Sequence, residues 1–155
     1  MIAGIDPGRR QSGFVLVRTL PALGIVSGGR TKNDRVCDQL WELNLEAIVM
    51  ENYRLYPWMA KTMIWNDLLE VRMIGRIQEI ARRRGIKLVE ITPSQGKRIK
   101  DRDLKALGTW SHCNHTMDAF RVFWTFWLKG GGDGGDSRSK NQSRRRRRSS
   151  VDRRR

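Results

Sequence analysis

The sequence is poor in cysteine and has no long apolar run. Cys37 and Cys113 are the only cysteines among 155 residues, which is too few for a disulfide framework and typical of a reducing compartment. No apolar stretch approaches the roughly 20 residues that a membrane-spanning helix needs. The first residues alternate like a strand and lack the basic, apolar and small-residue segments of a signal peptide. We therefore expect a cytoplasmic protein without a membrane span.

Acidic residues are scarce relative to basic ones. The chain has 31 lysines and arginines against 16 aspartates and glutamates, a formal net charge of +15. This excess is more than solubility requires, and it predicts a polyanionic partner. Nucleic acid is the first candidate. An acidic membrane surface is disfavoured because the most basic segment carries no apolar stripe.

The composition changes abruptly at Gly130. Residues 130–155 are rich in glycine, serine and arginine, and Val151 is their only apolar residue apart from glycine. They carry nine arginines and one lysine against three aspartates, a net +7, which leaves +8 on residues 1–129. We predict one folded domain over residues 1–129 and a disordered basic tail over residues 130–155. The tail should strengthen binding to any nucleic acid without adding specificity, although a targeting or protein-binding role stays open.

Five segments have the pattern of β-strands. Ile2–Asp6, Gly13–Arg18 and Gly24–Gly28 are short apolar or β-branched runs separated by glycine and proline, as in strands linked by hairpins. Ala47–Glu51 has the continuous apolar pattern of a strand buried on both faces, and Ile86–Ile91 is predicted as another strand. We expect three antiparallel strands, with the fourth strand parallel to the first.

Helices are predicted between and after the later strands. Asn33 is a candidate cap for a helix that ends near Asn44, Pro93 can open a short helix, and a last helix runs from His115 to Leu128. The longest helix spans Ala60–Arg84, with Val71 in its core-facing stripe and Met73 off that stripe. The element order βββαβαβαα predicts an α/β fold, a mixed sheet flanked by helices.

Acidic residues stand at the ends of two predicted strands and on the last helix. Asp6 ends the first strand, Glu51 ends the adjacent parallel strand, and Asp118 lies on the last helix, so the three can converge. Clustered carboxylates repel one another, and hard divalent cations relieve that repulsion. His115 precedes Asp118 by three residues and shares its helical face. Each of three residues also has a purely structural alternative. Asp6 could shape a turn, Glu51 could be a solvated charge, and His115 could be hydrogen-bonded by the backbone.

These residues stand within motifs that occur in a familiar order. The motifs are Gly4-Ile5-Asp6-Pro7-Gly8 followed by Gly13, then Glu51, then Thr92-Pro93-Ser94-Gln95 with Lys97, then His115-Thr116-Met117-Asp118-Ala119. Together they resemble the RuvC-type Holliday-junction resolvases over nearly all of residues 1–125.

The resemblance implies a ribonuclease H-like fold and a DNA endonuclease. It implies Asp6, Glu51, His115 and Asp118 as catalytic residues and ligands of two Mg²⁺ ions, for which Mn²⁺ can substitute. It further implies a homodimer that makes paired nicks in four-way junctions, in a prokaryotic cell or a phage-infected host. The long helix is the predicted dimer contact, with Met59, Met63, Trp65 and Met73 available for it.

Two segments are candidates for DNA contact. One follows Glu51 and carries aromatic rings that can stack on unpaired bases, although the rings could instead anchor the loop. The other follows the last strand, where Lys97 is the best candidate for a phosphate contact. The candidate DNA-binding residues are Tyr53, Arg54, Tyr56, Trp58, Lys97, Arg98 and Lys100. The chain departs from the resolvase pattern after Ile99, which leaves its cleavage-sequence preference open.

Other functions are compatible with parts of the pattern. Asp6 with Gly8 and Gly13 also fits the phosphate loop of actin-like sugar kinases, but that fold needs two lobes and a longer chain. His112, Cys113 and His115 lack a fourth zinc ligand at a suitable spacing. A nuclease for flaps or other branched DNA, and a non-catalytic nucleic-acid-binding protein on the same fold, remain the alternatives.

Overall fold

The computed structural model describes residues 1–52, 69–109 and 111–131. The predicted loop residues Tyr53, Arg54, Tyr56 and Trp58 lie outside these ranges, as do the start of the predicted long helix and residues 132–155 of the predicted tail. No helix in the described ranges is long and apolar enough to cross a membrane.

A five-stranded mixed sheet forms the centre of the fold. Its strands are β1 (Ile2–Asp6), β2 (Gln11–Arg18), β3 (Gly24–Lys32), β4 (Ala47–Glu51) and β5 (Lys87–Ile91), in the spatial order β3-β2-β1-β4-β5. β2 pairs antiparallel with β1 and β3, whereas β4 pairs parallel with β1 and β5. The predicted α/β fold with a mixed sheet is confirmed. The three parallel strands end at one edge, called the carboxyl edge below.

Helices cover both faces of the sheet. They are α1 (Asn33–Glu42), α2 (Leu69–Arg84 in the described part), α3 (Pro93–Gly96), α4 (Asp101–Ala106) and α5 (Asn114–Phe126), and a π-helical turn, Trp127–Gly131, follows α5. Successive side chains of a strand point to opposite faces of the sheet, so the sheet has one hydrophobic core on each face. Ala3 and Ile5 pack with α1 and α2, whereas Ile2 and Val49 pack with α4 and α5.

The edge strand β3 is longer than predicted. It continues beyond Gly28 to Lys32, and β2 begins at Gln11 rather than Gly13, because the two strands stay paired as far as Gln11 and Lys32. The added residues are mostly glycine or polar, so apolar alternation could not reveal them. The short helix α4 was likewise not predicted from its charged sequence.

Two predicted helix features were wrong. Val71 was predicted to face the core but is 38% exposed, whereas Met73, predicted to lie off the core face, is 1% exposed. Both are apolar and two residues apart, so periodicity alone did not choose between them. Asn33 begins α1 without capping it, because the side chain bonds elsewhere. The buried stripe of α2 is Met73, Ile74, Ile77, Ile80 and Ala81.

Candidate active site

The carboxyl edge brings Asp6 and Glu51 onto neighbouring strands. Ile5 of β1 is in register with Met50 of β4, so the following residues, Asp6 and Glu51, end adjacent parallel strands. The Asp6 side chain is only 13% exposed. The sheet therefore places two of the four predicted catalytic residues side by side, with one of them nearly buried.

Helix α5 adds His115 and Asp118 to this edge. His115 Nδ1 lies 2.6 Å from Asp6 Oδ2, and its side chain is 46% exposed. With Asp6 ionised, the Nδ1–H donates this hydrogen bond, which leaves Nε2 with a free lone pair. The side chain of Asp118 is one helical turn further along and is 39% exposed. The four predicted residues thus lie together, and their catalytic roles remain predictions.

Two glycines let α5 approach the sheet this closely. A Cβ on Gly13 would stand 1.8 Å from the backbone oxygen of His115, and one on Gly4 would stand 2.9 Å from the backbone oxygen of Ala119. Both glycines lie on the sheet face that α5 covers. Their missing side chains are the reason that the helix can hold His115 against Asp6.

The loop after Asp6 is fixed by a hydrogen-bond network. The buried Ser12 hydroxyl accepts from the Gly8 N–H at 3.2 Å and donates to Asn33 Oδ1 at 2.8 Å. The Asn33 amide donates in turn to the backbone oxygens of Gly8, at 3.0 Å, and Arg9, at 3.3 Å. Asn33 therefore ties the start of α1 to the loop, and this explains why it does not cap the helix. Ser12 and Asn33 are positioning residues that the sequence analysis missed.

Burial and neighbouring charges raise the pKa of two carboxylates of the site, Asp6 and Glu51. Burial raises the pKa of Asp6 to about 6, and the charges of Asp118 and Glu70 add to the effect, while the His115 hydrogen bond opposes it. Burial raises the pKa of Glu51 to about 7, with further contributions from the charges of Asp6 and Asp118. Because the charge of Asp118 acts on both Asp6 and Glu51, the three carboxylates lie near one another.

Arg121 is a cation of the site that the sequence analysis missed. Its guanidinium bonds to both Asp118 and Asp101, and its Nε donates to the backbone oxygen of Ile99 at 3.3 Å. Its charge also lowers the pKa of Glu51. Arg121 follows Asp118 by three residues, the same spacing that links His115 to Asp118, so the helical pattern contained a signal for it.

The donor set suits a divalent cation by its chemistry. Three carboxylates and an imidazole are ligands for Mg²⁺ or Mn²⁺, and a cation would stabilise the ionised forms of Asp6 and Glu51, which burial and neighbouring carboxylates disfavour. Within the described residues, however, no three histidine, cysteine or acidic side chains are close enough to share one ion. His115 holds Asp6 and Arg121 holds Asp118 in this arrangement.

The predicted phosphate contacts follow β5 at the same edge. Lys97 directly follows α3 and is close enough to lower the pKa of Glu51 by its charge. Arg98 and Lys100 are exposed between α3 and α4. The structure therefore brings Lys97 to the carboxylates and leaves Arg98 and Lys100 on the neighbouring surface.

No protein-family model and no curated protein matches the chain. Among solved structures, RuvC of Thermus thermophilus in complex with a Holliday-junction substrate has a TM-score of 0.63 at 20% sequence identity, covering 84% of this chain and 95% of that chain. A second structure of Thermus thermophilus RuvC has a TM-score of 0.59 at 21% identity, with coverages of 84% and 96%.

The yeast mitochondrial Holliday-junction resolvase Ydc2 has a TM-score of 0.51 at 15% identity, covering 81% of this chain and 78% of that chain. These identities are low, so the likeness is one of fold. The chain has the fold of these RuvC and Ydc2 structures.

Proposed function

We propose that this protein is a divalent-metal-dependent endonuclease that resolves four-way DNA junctions. The observation that carries the proposal is the convergence of Asp6, Glu51 and Asp118 at the carboxyl edge of a RuvC-type fold, with His115 Nδ1 2.6 Å from Asp6 Oδ2. A junction is the proposed substrate because a solved structure with this fold holds one. The formal charge of +15 fits a DNA partner.

The reaction is hydrolysis of a phosphodiester bond. An oxygen of water bonds to phosphorus, the bond to the 3′ oxygen breaks, and the products are a 5′-phosphate and a 3′-hydroxyl. Asp6, Glu51 and Asp118 would hold two Mg²⁺ ions, which, when bound, supply the positive charge that activates the water and stabilises the leaving oxygen.

His115 is the proposed proton acceptor. Because its Nδ1–H donates to Asp6, the imidazole is oriented and its Nε2 lone pair is available for a proton of the attacking water. The same lone pair could instead ligate a cation, but it cannot serve both purposes at once. Lys97 is close enough to Glu51 to affect its pKa and is the proposed contact to the reacting phosphate.

Resolution needs two cuts, so the proposed active form is a homodimer. One site cuts one strand, and a second copy supplies the opposing nick. On the helical face of α1 and α2, the apolar side chains of Trp41 and Val71 are 46% and 38% exposed. They are surface that a second copy would cover.

The decisive test is a cleavage assay on a labelled four-way junction, a flap, plain duplex and an RNA–DNA hybrid, with and without Mg²⁺. We expect Mg²⁺-dependent, symmetric nicks in the junction alone. Asp6→Asn should lower the rate by at least about a hundredfold, because it removes a ligand charge, yet keep junction binding in EDTA. Asp38→Asn, which changes an exposed carboxylate of α1, is the matched control and should cut normally.

Four results would contradict the proposal. Preferential cutting of the flap would assign the protein to another class of branched-DNA nuclease, and cutting of the hybrid would make it a ribonuclease. Cleavage that survives Asp6→Asn would reject the site. Binding without any cleavage at saturating Mg²⁺ and Mn²⁺ would support the non-catalytic alternative.

A further inference from the structure

A basic cleft adjoins the candidate active site on the side opposite Lys97. It consists of two neighbouring cavities of about 630 and 650 Å³, the second of which reaches His115. The β1–β2 loop, the end of β3 and the start of the described part of α2 form its walls. The basic side chains of this arginine cleft, all exposed, are Arg9, Arg10, Arg30, Lys32, Arg72 and Arg76.

The register of the sheet fixes the cleft next to the catalytic carboxylates. Asp6 pairs with Gly13, and Gly13 pairs with Arg30, so Arg30 lies two strands away at the same level of the sheet. At a strand spacing of about 4.8 Å, the Cα atoms of Asp6 and Arg30 are about 10 Å apart. Lys32 is two residues beyond Arg30 and shares its face.

The cleft has an excess of positive charge that its own carboxylates do not neutralise. Its acidic members are Asp34, which pairs with Arg76 at 2.8 Å, and Glu70. In the described part of the chain no carboxylate pairs with Arg10 or Arg72. Like charges held this close repel one another, and an anionic ligand removes that cost.

The shape of the cleft indicates an extended polyanion. Its cations come from three separate elements and follow two neighbouring cavities, whereas a single phosphate group would need donors that converge on one point. The loop that carries Arg9 and Arg10 is held by the Asn33 and Ser12 hydrogen bonds, so these charges sit on a fixed backbone.

We propose that the arginine cleft binds the sugar-phosphate backbone of the DNA arm next to the cut strand. DNA would then cross the carboxyl edge between two basic surfaces. One is the arginine cleft at β3, and the other is formed by Lys97, Arg98 and Lys100 after β5. The location of this arm beside the cut rests on the proposed function, whereas backbone binding by the cleft does not require catalysis.

The test is the salt dependence of DNA binding by the full chain without metal. Fluorescence anisotropy in EDTA gives the affinity for a four-way junction at several salt concentrations. The double variant Arg10→Gln, Arg72→Gln should lose two phosphate contacts, which makes the slope of log K against log salt shallower by about 1.8. Its affinity at about 0.15 M salt should fall roughly tenfold.

The control removes the same number of positive charges at a place outside the cleft, near the end of α2. Arg82 and Arg83 both pair with Glu79 near the end of the helix, and the double variant Arg82→Gln, Arg83→Gln should keep the wild-type slope. The charge-preserving double variant Arg10→Lys, Arg72→Lys should also keep it. Equal thermal midpoints of all variants would show that the fold is intact.

The outcomes separate the cleft from the proposed function. If the Arg10→Gln, Arg72→Gln variant has the same slope of log K against log salt as the Arg82→Gln, Arg83→Gln control, the inference is overturned. This holds even if the wild type resolves junctions. A cleft-dependent slope in a protein that cuts nothing supports the cleft and overturns the proposed function. A wild type that binds no DNA overturns both.

Discussion

At the scale of single residues, Asp6 is the centre of the candidate site. The Asp6 side chain is 13% exposed, whereas that of Asp118 is 39% exposed, and His115 contacts Asp6. Its burial favours the neutral form, whereas His115 and a divalent cation favour the ionised form. Arg121 bonds to Asp118, so the site has an internal cation beside a proposed metal ligand.

This arrangement predicts that Arg121 competes with metal. In Arg121→Gln, the positive charge beside Asp118 and Glu51 is removed, and we expect Mn²⁺ to bind about tenfold more tightly, since a unit charge at close range contributes more than 1 kcal/mol at a partly exposed site. Electron paramagnetic resonance of free Mn²⁺ measures the affinity directly. Arg98→Gln, an exposed charge of the same kind, should leave it unchanged. Weaker Mn²⁺ binding by Arg121→Gln would show that Arg121 instead positions Asp118 for the metal.

At the scale of elements, the site depends on the fit of α5 against β1 and β2. The helix carries His115, Asp118 and Arg121 at intervals of three residues, and its other side is packed by Phe120 and Phe123. Arg121 also ties α4 to α5 through Asp101. A change that lifts α5 from the sheet should therefore disturb the core and the site together.

The close approach at Gly13 gives a direct test of this dependence. In Gly13→Ala the new methyl group would meet the backbone oxygen of His115, a rigid atom that cannot turn aside. We expect a loss of about 3 kcal/mol in the free energy of unfolding, measured with urea. Gly29→Ala is the control, because a Cβ there meets nothing within 4 Å and should change stability by no more than about 0.5 kcal/mol. Equal stability of the two variants would refute the tight fit.

At the scale of the whole molecule, the burial of Asp6 and Glu51 couples stability to pH and metal. The pKa values of Asp6 and Glu51, about 6 and about 7, lie above the ordinary values of 3.8 and 4.5. Between these limits the folded state binds more protons than the unfolded state, so stability falls as pH rises. The contribution of these groups is complete below about pH 4 and lost above about pH 7.

Thermal unfolding in EDTA should therefore show a stability loss from pH 4 to 7 that Asp6→Asn reduces. For Asp6 the upper limit is about 3 kcal/mol, from a shift of about two pKa units. Mg²⁺ at about 10 mM should raise the thermal midpoint at pH 8 and have little effect at pH 4, because it binds the ionised carboxylates of the folded state. The same pH dependence in wild type and Asp6→Asn would contradict the assigned cause, and no response to Mg²⁺ or Mn²⁺ at pH 8 would argue against a metal site.

Much of the fold was predictable because its signals are local. Strand alternation and glycine breaks located β1 and β4 closely, and the parallel pairing of these two strands was expected. The polar half of β3 and the rotation of α2 could not be predicted in this way. Both depend on which neighbouring element packs against the strand or the helix. The loop after Glu51 and most of the tail lie outside the described residues, and their roles remain predictions.

The sequence by itself determined the order of the five strands, the excess of positive charge and the candidate residues Asp6, Glu51, His115 and Asp118. These properties follow from the composition and from spacings of a few residues. Only the tertiary structure decided which groups touch: His115 reaches Asp6 across 109 residues of chain, and Arg121 reaches Asp101 across 20. It also collected the cations of the arginine cleft from three elements. Such contacts depend on the packing of helices against a sheet, and a local pattern does not contain that information.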